Sequence, residues 1–307
     1  MRVKAALCAA AAAAAPALAA AAVKSTLLML YDTGAAGSGA MPCSVSLSHP
    51  PTGPPTAAVA QYLNSPIGVQ AFSSAAGADS PTWSFWPEST DMDLSWQLAG
   101  SRVAAARGGG GGGVDTVVLQ YSNEQFTSED ANCTLWGVST AASAAPAFKP
   151  LWRASVAHCD VVGPQLADYN NMPSTAITAD GATLVASLVV GGVQTLMGWE
   201  VASGRQLYAT PTPGGSYGVA LSGNGQWALV ASDDGNGGRS AFVHSTATGK
   251  QRGTSGCTLH WNAAPALSDD GAVIAAGSQN GMTLCAWDAG SSAYGQGVRV
   301  DMPSRGE

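Results

Sequence analysis

The side chains able to do chemistry in this chain are few and scattered. Its four histidines, His49, His158, His244 and His260, are the imidazoles that would titrate near neutrality. His158 is followed by Cys159 and Asp160, and His260 lies close to Cys257 and beside Trp261. Both fall on loops between repeated units, which would place them on one face as candidate partner-binding residues. The plainer reading is a relic of repeat duplication. Asp180, Asp233, Asp234, Asp269 and Asp270 each sit beside or near a glycine. Aspartate favours such turns because its side chain hydrogen-bonds the local backbone. A calcium site at 232–237 is the alternative, but the spaced carboxylates and terminal glutamate of a calcium loop are missing. Trp83, Phe85 and Trp86 cluster beside prolines. Exposed, they would stack on sugar rings or on a partner protein; otherwise they form a local plug. No Gly-x-Ser-x-Gly elbow, phosphate-binding loop, His-Glu-x-x-His or Cys-x-x-Cys is present. No catalytic residue or cofactor is therefore assigned, with calcium as the one metal considered.

Six cysteines add a second chemistry. Cys8 falls in a leader, which leaves Cys43, Cys133, Cys159, Cys257 and Cys285. An odd set in an oxidising compartment leaves one thiol over. Cys133 precedes Trp136 and Cys285 precedes Trp287, at nearly the same place in a repeat. Cys159 and Cys257 each lie near the end of a fourth strand. Symmetry then pairs Cys133 with Cys159 and Cys257 with Cys285, each bond closing one repeat, although sequence does not fix connectivity. Asn132-Cys133-Thr134 is an N-glycosylation sequon at Asn132.

The elements that must position these groups follow from a repeat. Ala176-Ile-Thr-Ala-Asp-Gly181 returns as Ala220-Leu-Ser-Gly-Asn-Gly225 and as Ala266-Leu-Ser-Asp-Asp-Gly271, a spacing of about 45 residues. Each copy precedes an apolar run, a glycine-rich turn and a further apolar stretch, around Trp199, Val243 and Trp287. This is the strand–turn–strand pattern of a β-propeller blade. Regular blades are expected over about 174–300, with strands at 174–178, 183–190, 193–201 and 206–210, then 218–221, 227–232, 240–245 and 251–259, then 265–267, 272–278, 282–288 and 297–300. Trp136, Trp199 and Trp287 are expected at one position of the blade, packing between neighbours. Residues 23–173 read as less regular. Strand candidates there are 25–31, 67–72, 82–86, 94–103, 114–121, 133–138 and 148–156, and 161–172 reads as an insertion. The six glycines at 108–113 read as an exposed loop. The fold class is thus all-β, a propeller of four to five visible four-stranded blades. The ring is either small or incomplete, since 301–307 carries no closing strand signature.

Composition sets the compartment and excludes some partners. Met1-Arg-Val-Lys4 followed by an alanine-rich run reads as a signal peptide over residues 1–22, with the propeller domain at 23–307. A cleaved transit peptide to an organelle lumen is the alternative. Charged residues are only 11% of the chain and the net charge is -7. The absence of a Lys/Arg cluster argues against nucleic acid as a partner. No later stretch is long and apolar enough for a membrane span.

The Trp-Asp and Trp-Glu pairs in Ala286-Trp-Asp-Ala-Gly290 and Gly198-Trp-Glu-Val-Ala-Ser-Gly-Arg205 resemble the end of WD40 repeats. Ser245-Thr-Ala-Thr-Gly-Lys250 and Ala202-Ser-Gly-Arg-Gln-Leu-Tyr208 are similar to the turn of quinoprotein-type repeats. The resemblance covers about 174–300 well and 94–156 loosely. It implies a propeller and little about activity, because both families host many roles. The Gly-His pair of WD40 blades is absent. The closing tryptophan of the quinoprotein repeat is replaced by Tyr208 in one copy and lost at Gly253 in the next. The expected role is a secreted scaffold that binds a protein or glycan. The competing expectation is an enzyme using a central funnel, either a carbohydrate-active hydrolase or lyase or a degenerate quinoprotein.

Overall fold

The computed structural model of the chain describes residues 41–48, 56–62, 69–73, 83–85, 99–105, 116–122, 132–138, 150–160, 175–212, 216–233, 239–253, 257–259, 265–278, 281–295 and 298–301. Among these, all regular structure is β-strand. The leader, the glycine run 108–113, the strand candidate 25–31 and the insertion 161–172 lie outside the described residues.

Five antiparallel sheets follow one another along the described chain. Sheet I holds β1 (Met41–Ser48), β2 (Thr56–Tyr62), β3 (Val69–Ser73) and β4 (Trp83–Phe85). Sheet II holds β5 (Ala99–Ala105), β6 (Thr116–Ser122), β7 (Asn132–Val138) and β8 (Trp152–Ala157). The short β9 (Cys159–Asp160) leaves sheet II and pairs with sheet III. Sheet III itself is β10 (Thr175–Ile177), β11 (Thr183–Val190), β12 (Val193–Glu200) and β13 (Gln206–Pro211). Sheet IV is β14 (Ser216–Leu221), β15 (Trp227–Asp233), β16 (Arg239–Ser245) and β17 (Cys257–Leu259). Sheet V is β18 (Pro265–Leu267), β19 (Val273–Ser278), β20 (Gly281–Asp288) and β21 (Ala293–Tyr294), with β22 (Val298–Asp301) also on β20. Apart from β9, which pairs with β11, and β22, which pairs with β20, consecutive strands of each sheet are neighbours. First strands also meet in succession: β5 lies against β1 and β10, and β14 against β10 and β18.

The strands expected in sheets III to V appear within two residues of their expected bounds except 251–259, of which 257–259 is strand, and β21 was not expected. The N-terminal stretch is more regular than expected, since two four-stranded sheets lie within 41–157. Sheet I was hard to read because β2, Thr56-Ala-Ala-Val-Ala-Gln-Tyr62, holds three alanines in seven residues and follows four prolines. Alanine carries almost no strand signal.

One turn explains why the repeat is legible. In sheet III the Thr178 hydroxyl donates to Asp180 (2.6 Å), and the Asp180 carboxylate accepts from the Ala182 amide (3.0 Å). The Thr183 amide donates to the Thr178 hydroxyl (2.9 Å). Ser222, Asn224, Gln226 and Trp227 repeat this pattern in sheet IV. Ser268, Asp270, Ala272 and Val273 repeat it in sheet V. The pattern needs a hydroxyl, then a side-chain acceptor two residues on, then glycine at positive φ, as at Gly181 (71°).

Strand parity builds the core. In β11, Leu184, Ala186 and Leu188 pack with Leu135 and Val156 of sheet II, whereas Val185 packs with Val219 and Val230 of sheet IV. In β15, Ala228 and Val230 face sheet III and Leu229 faces sheet V. Alternation at period two therefore loads both faces of each central strand. The unbroken apolar runs in sequence come from this double burial.

Register corrects the expectation for the tryptophans. Thr183, Trp227 and Val273 open equivalent second strands, and they pair with Glu200, Ser245 and Ala286. One step further, Leu184 faces Trp199, Ala228 faces His244 and Ile274 faces Cys285. Trp199, His244 and Cys285 are thus register equivalents, and Trp287 stands two places on. Trp136 immediately precedes Gly137, which pairs with Trp152, whereas Trp199 follows Gly198, which pairs with Tyr208. The three tryptophans occupy three successive positions of one parity, not one position. A shift of two preserves the face, so a sequence pattern tolerates it. The same registers place Cys133 and Cys285 five positions apart in their strands. They are therefore of opposite parity rather than equivalent.

Candidate functional site

The chemistry-bearing side chains converge on the seams between sheets. The seam between sheets II and III holds a disulfide, Cys133–Cys159, with Cα atoms 5.3 Å apart and both residues fully buried. Because β9 pairs with β11, this bond links sheet II to sheet III instead of closing one blade. Asn132, next to it, is exposed at the start of β7. Beside the disulfide, the Trp152 indole N–H donates to the Val201 carbonyl (2.6 Å). Its ring lies over Gly137 of its own sheet and Gly204 of sheet III. Gly204 has φ 70° and would bring a Cβ to 2.6 Å from the indole, so both backbone and space demand glycine.

The seam between sheets IV and V is held by a cation. The Arg252 guanidinium lies 4.4 Å from the Trp227 ring centre and 4.2 Å from that of Trp287. Its Nη1 donates to the Gly271 carbonyl (2.8 Å), which also accepts from the Tyr294 hydroxyl (2.5 Å). Trp287 and Tyr294 meet edge to face at 5.1 Å. Burial pushes the Tyr294 hydroxyl pKa up. Cys285, fully buried among Leu229, Ala241 and Val243, is disulfide-bonded.

Among the described residues the seam between sheets III and IV has neither device. Tyr208 occupies the place of Trp152, lying over Gly198 of its own sheet and Gly249 of the next. His244 occupies the place of Trp199 and is 1% exposed. Its Nδ1 lies 3.0 Å from the Gly249 carbonyl. A carbonyl only accepts, so Nδ1 carries the proton and Nε2 is bare in the neutral ring. Among the described residues neither His244 Nε2 nor the Tyr208 hydroxyl has a hydrogen-bond partner. Burial pushes the His244 pKa down, partly offset by the bond to Gly249. Burial also pushes the Tyr208 pKa well above its ordinary value.

The carboxylates are committed to turns. Hydrogen bonds from Ser268 and the Ala272 amide hold the Asp270 pKa down. The Gly290 amide and the Ser291 hydroxyl do the same for Asp288. Glu200 accepts from Ser203 and pairs with Arg205 at 3.4 Å, with both side chains exposed. Among the described residues no three His, Cys, Asp or Glu side chains gather closely enough to hold a metal ion.

Of the residues singled out in sequence, the described ones lie in separate places apart from the bonded pair Cys133 and Cys159. His158 is exposed at the link between β8 and β9, with φ 52°, and its carbonyl accepts from Gly191. Its conformation serves the crossing from sheet II to sheet III. His260 and Trp86 lie outside the described residues, as does most of the calcium candidate at 232–237. Trp83 and Phe85 belong to β4, the fourth strand of sheet I, where they pair with Ala71 and Val69. Cys257 opens β17 opposite Ala241. Sequence reasoning passed over Trp152 and Arg252, and it treated His244 only as part of a count. The available signal was the glycine each aromatic covers: Gly137 before Trp152 and Gly198 before Tyr208.

No family model matches the chain, and no curated protein matches it. Among solved structures, the chain is similar to a functionally unknown protein from Desulfotomaculum acetoxidans (11% identity, 84% of this chain and 75% of that one, TM-score 0.47). It is also similar to the hydrazine synthase of Kuenenia stuttgartiensis (14% identity, 86% and 66%, TM-score 0.47). A third likeness is to the complex of KlAtg21 with the coiled coil of AgAtg16 (7% identity, 83% and 68%, TM-score 0.49). Likeness at this level bears on neither the fold nor the activity of this chain.

Proposed function

We propose that this chain is a secreted β-propeller that acts as a binding scaffold for a protein or glycan partner. The observation that carries the reading is where its reactive side chains go. Asp180, Asp270 and Asp288 bond their own turn amides. Arg252 is held between two indoles, and His244 is sealed in a seam. An enzyme needs convergent, perturbed titratable groups on an accessible surface. Groups used for turns and seams build a platform instead. The succession of four-stranded sheets, each first strand against the next, supports blades arranged about a common centre. The buried disulfide supports an oxidising compartment, and there Asn132 is the residue to carry a glycan. Among the described residues no helix is long and apolar enough to cross a membrane.

The test is a glycan array and a cross-linking capture with the secreted chain, run beside a panel of polysaccharide substrates. The expected result is saturable binding without turnover, weakened by Trp83→Ala or Trp86→Ala. His158→Asn is the companion variant, because asparagine keeps the left-handed backbone and any loss then reports the imidazole alone. Turnover of a polysaccharide would overturn the scaffold reading in favour of the funnel enzyme.

A further inference from the structure

Three adjoining seams are built differently, and the difference has a direction. The seam between sheets II and III has a disulfide and a satisfied indole N–H. The seam between sheets IV and V has Arg252 stacked on Trp227 and Trp287, and a disulfide-bonded Cys285. Between them, the seam of sheets III and IV replaces Trp152 by Tyr208 and Trp199 by His244, and both replacements bury a polar atom that has no partner among the described residues. A buried polar atom that gives up water without gaining a bond weakens the packing around it.

We propose that the seam between sheets III and IV is an acid-opened joint: His244 takes up a proton, and sheet IV loosens from sheet III while the seams on either side hold. The neutral imidazole fits its site, with Nδ1–H on the Gly249 carbonyl. Protonation adds an N–H at Nε2 and a positive charge in a buried place. Among the described residues nothing there compensates. Ala228 faces the ring from β15, and Ala228 packs with Val185 of β11, Leu196 of β12 and Tyr208 of β13. Gly249 touches Tyr208 and Thr210. Tyr208 is the one titratable group among these, and it stays neutral. Lys250, in the following turn, is exposed and of the same sign as the imidazolium. Among the described residues no carboxylate acts on the ring.

The sign follows from linkage. A histidine harder to protonate when folded gives stability that is complete above about pH 6.5, the unfolded value. That stability is lost as pH falls from there towards the lower folded pKa. Hydrogen exchange of the full chain at pH 7 and pH 5, corrected for intrinsic rates, tests the location. Protection in β12, β13, β14 and β15 should fall by about tenfold for each pH unit separating the folded and unfolded values, with β7 and β20 unchanged. In His244→Phe the selective loss should vanish, whereas His158→Asn, altering an exposed imidazole while keeping the left-handed backbone, should keep it. NMR titration of the wild-type imidazoles decides independently of any variant, with His244 expected to titrate below 6.5. An acid loss spread evenly over all the seams, its persistence in His244→Phe, or a His244 midpoint at or above 6.5 would overturn the proposal.

Discussion

Individual residues show the packing logic most plainly at Trp152 and Gly137. The indole lies so close over Gly137 that a Cβ there would clash with it, and the ring atoms concerned cannot swing away. The indole is also tied by its N–H to Val201 in the next sheet. Gly137→Ala should therefore destabilise the chain by about 1–3 kcal/mol, the usual cost of overpacking. A lower urea midpoint with an unchanged slope is the expected readout; a midpoint equal to wild type would mean that Trp152 is not held over the glycine. Such a contact was only half legible in sequence. Trp152 and Gly137 are visible as letters, but their pairing across β7 and β8 depends on a register that the intervening residues, 139–151, conceal. The turn residues are the opposite case. Ser268, Asp270 and Gly271 interact within a few positions, so their arrangement could be read from the chain directly.

Elements meet through side chains that change from seam to seam while the strands stay constant. Parity explains both facts. A strand keeps its face under a shift of two, so Trp136, Trp199 and Trp287 could drift along their strands without leaving the interface. The repeat was legible because turns set it. The seam chemistry was not, because it joins positions on different sheets with no fixed spacing. Arg252 illustrates the loss: in sequence it is an isolated cation between Gln251 and Gly253, and only the fold brings Trp227 and Trp287 to its two faces. Arg252→Ala removes two cation–π contacts, each worth about 0.5–2 kcal/mol, and a hydrogen bond to Gly271. The expected loss is about 2–4 kcal/mol, with Arg252→Lys falling between because an ammonium cannot lie flat between two rings. Calorimetry of the three proteins measures this, and equal stability of the alanine and lysine variants would show that planarity is irrelevant there.

For the whole molecule, the disulfides decide how force and unfolding are shared among sheets. Cys133–Cys159 closes a sequence separation of 26, for which chain entropy gives roughly 3–4 kcal/mol, and it fastens sheet II to sheet III. Cys285 is bonded as well, and it is buried with Leu229, Ala241 and Val243 of sheet IV. Cys257 opens the outer strand of sheet IV directly opposite Ala241. Cys43 belongs to β1 of sheet I. The expected map is Cys133–Cys159 and Cys257–Cys285, with Cys43 the thiol that alkylates without reduction. Non-reducing peptide mapping of the secreted chain checks it. Finding Cys43 bonded to Cys285 instead would carry a larger consequence, since that bond would join the first described sheet to the last and latch the succession of sheets into a covalent ring. Under the expected map, covalent links lie on both sides of the Tyr208–His244 seam but not across it, so sheets II and III would part from sheets IV and V as two bonded pairs.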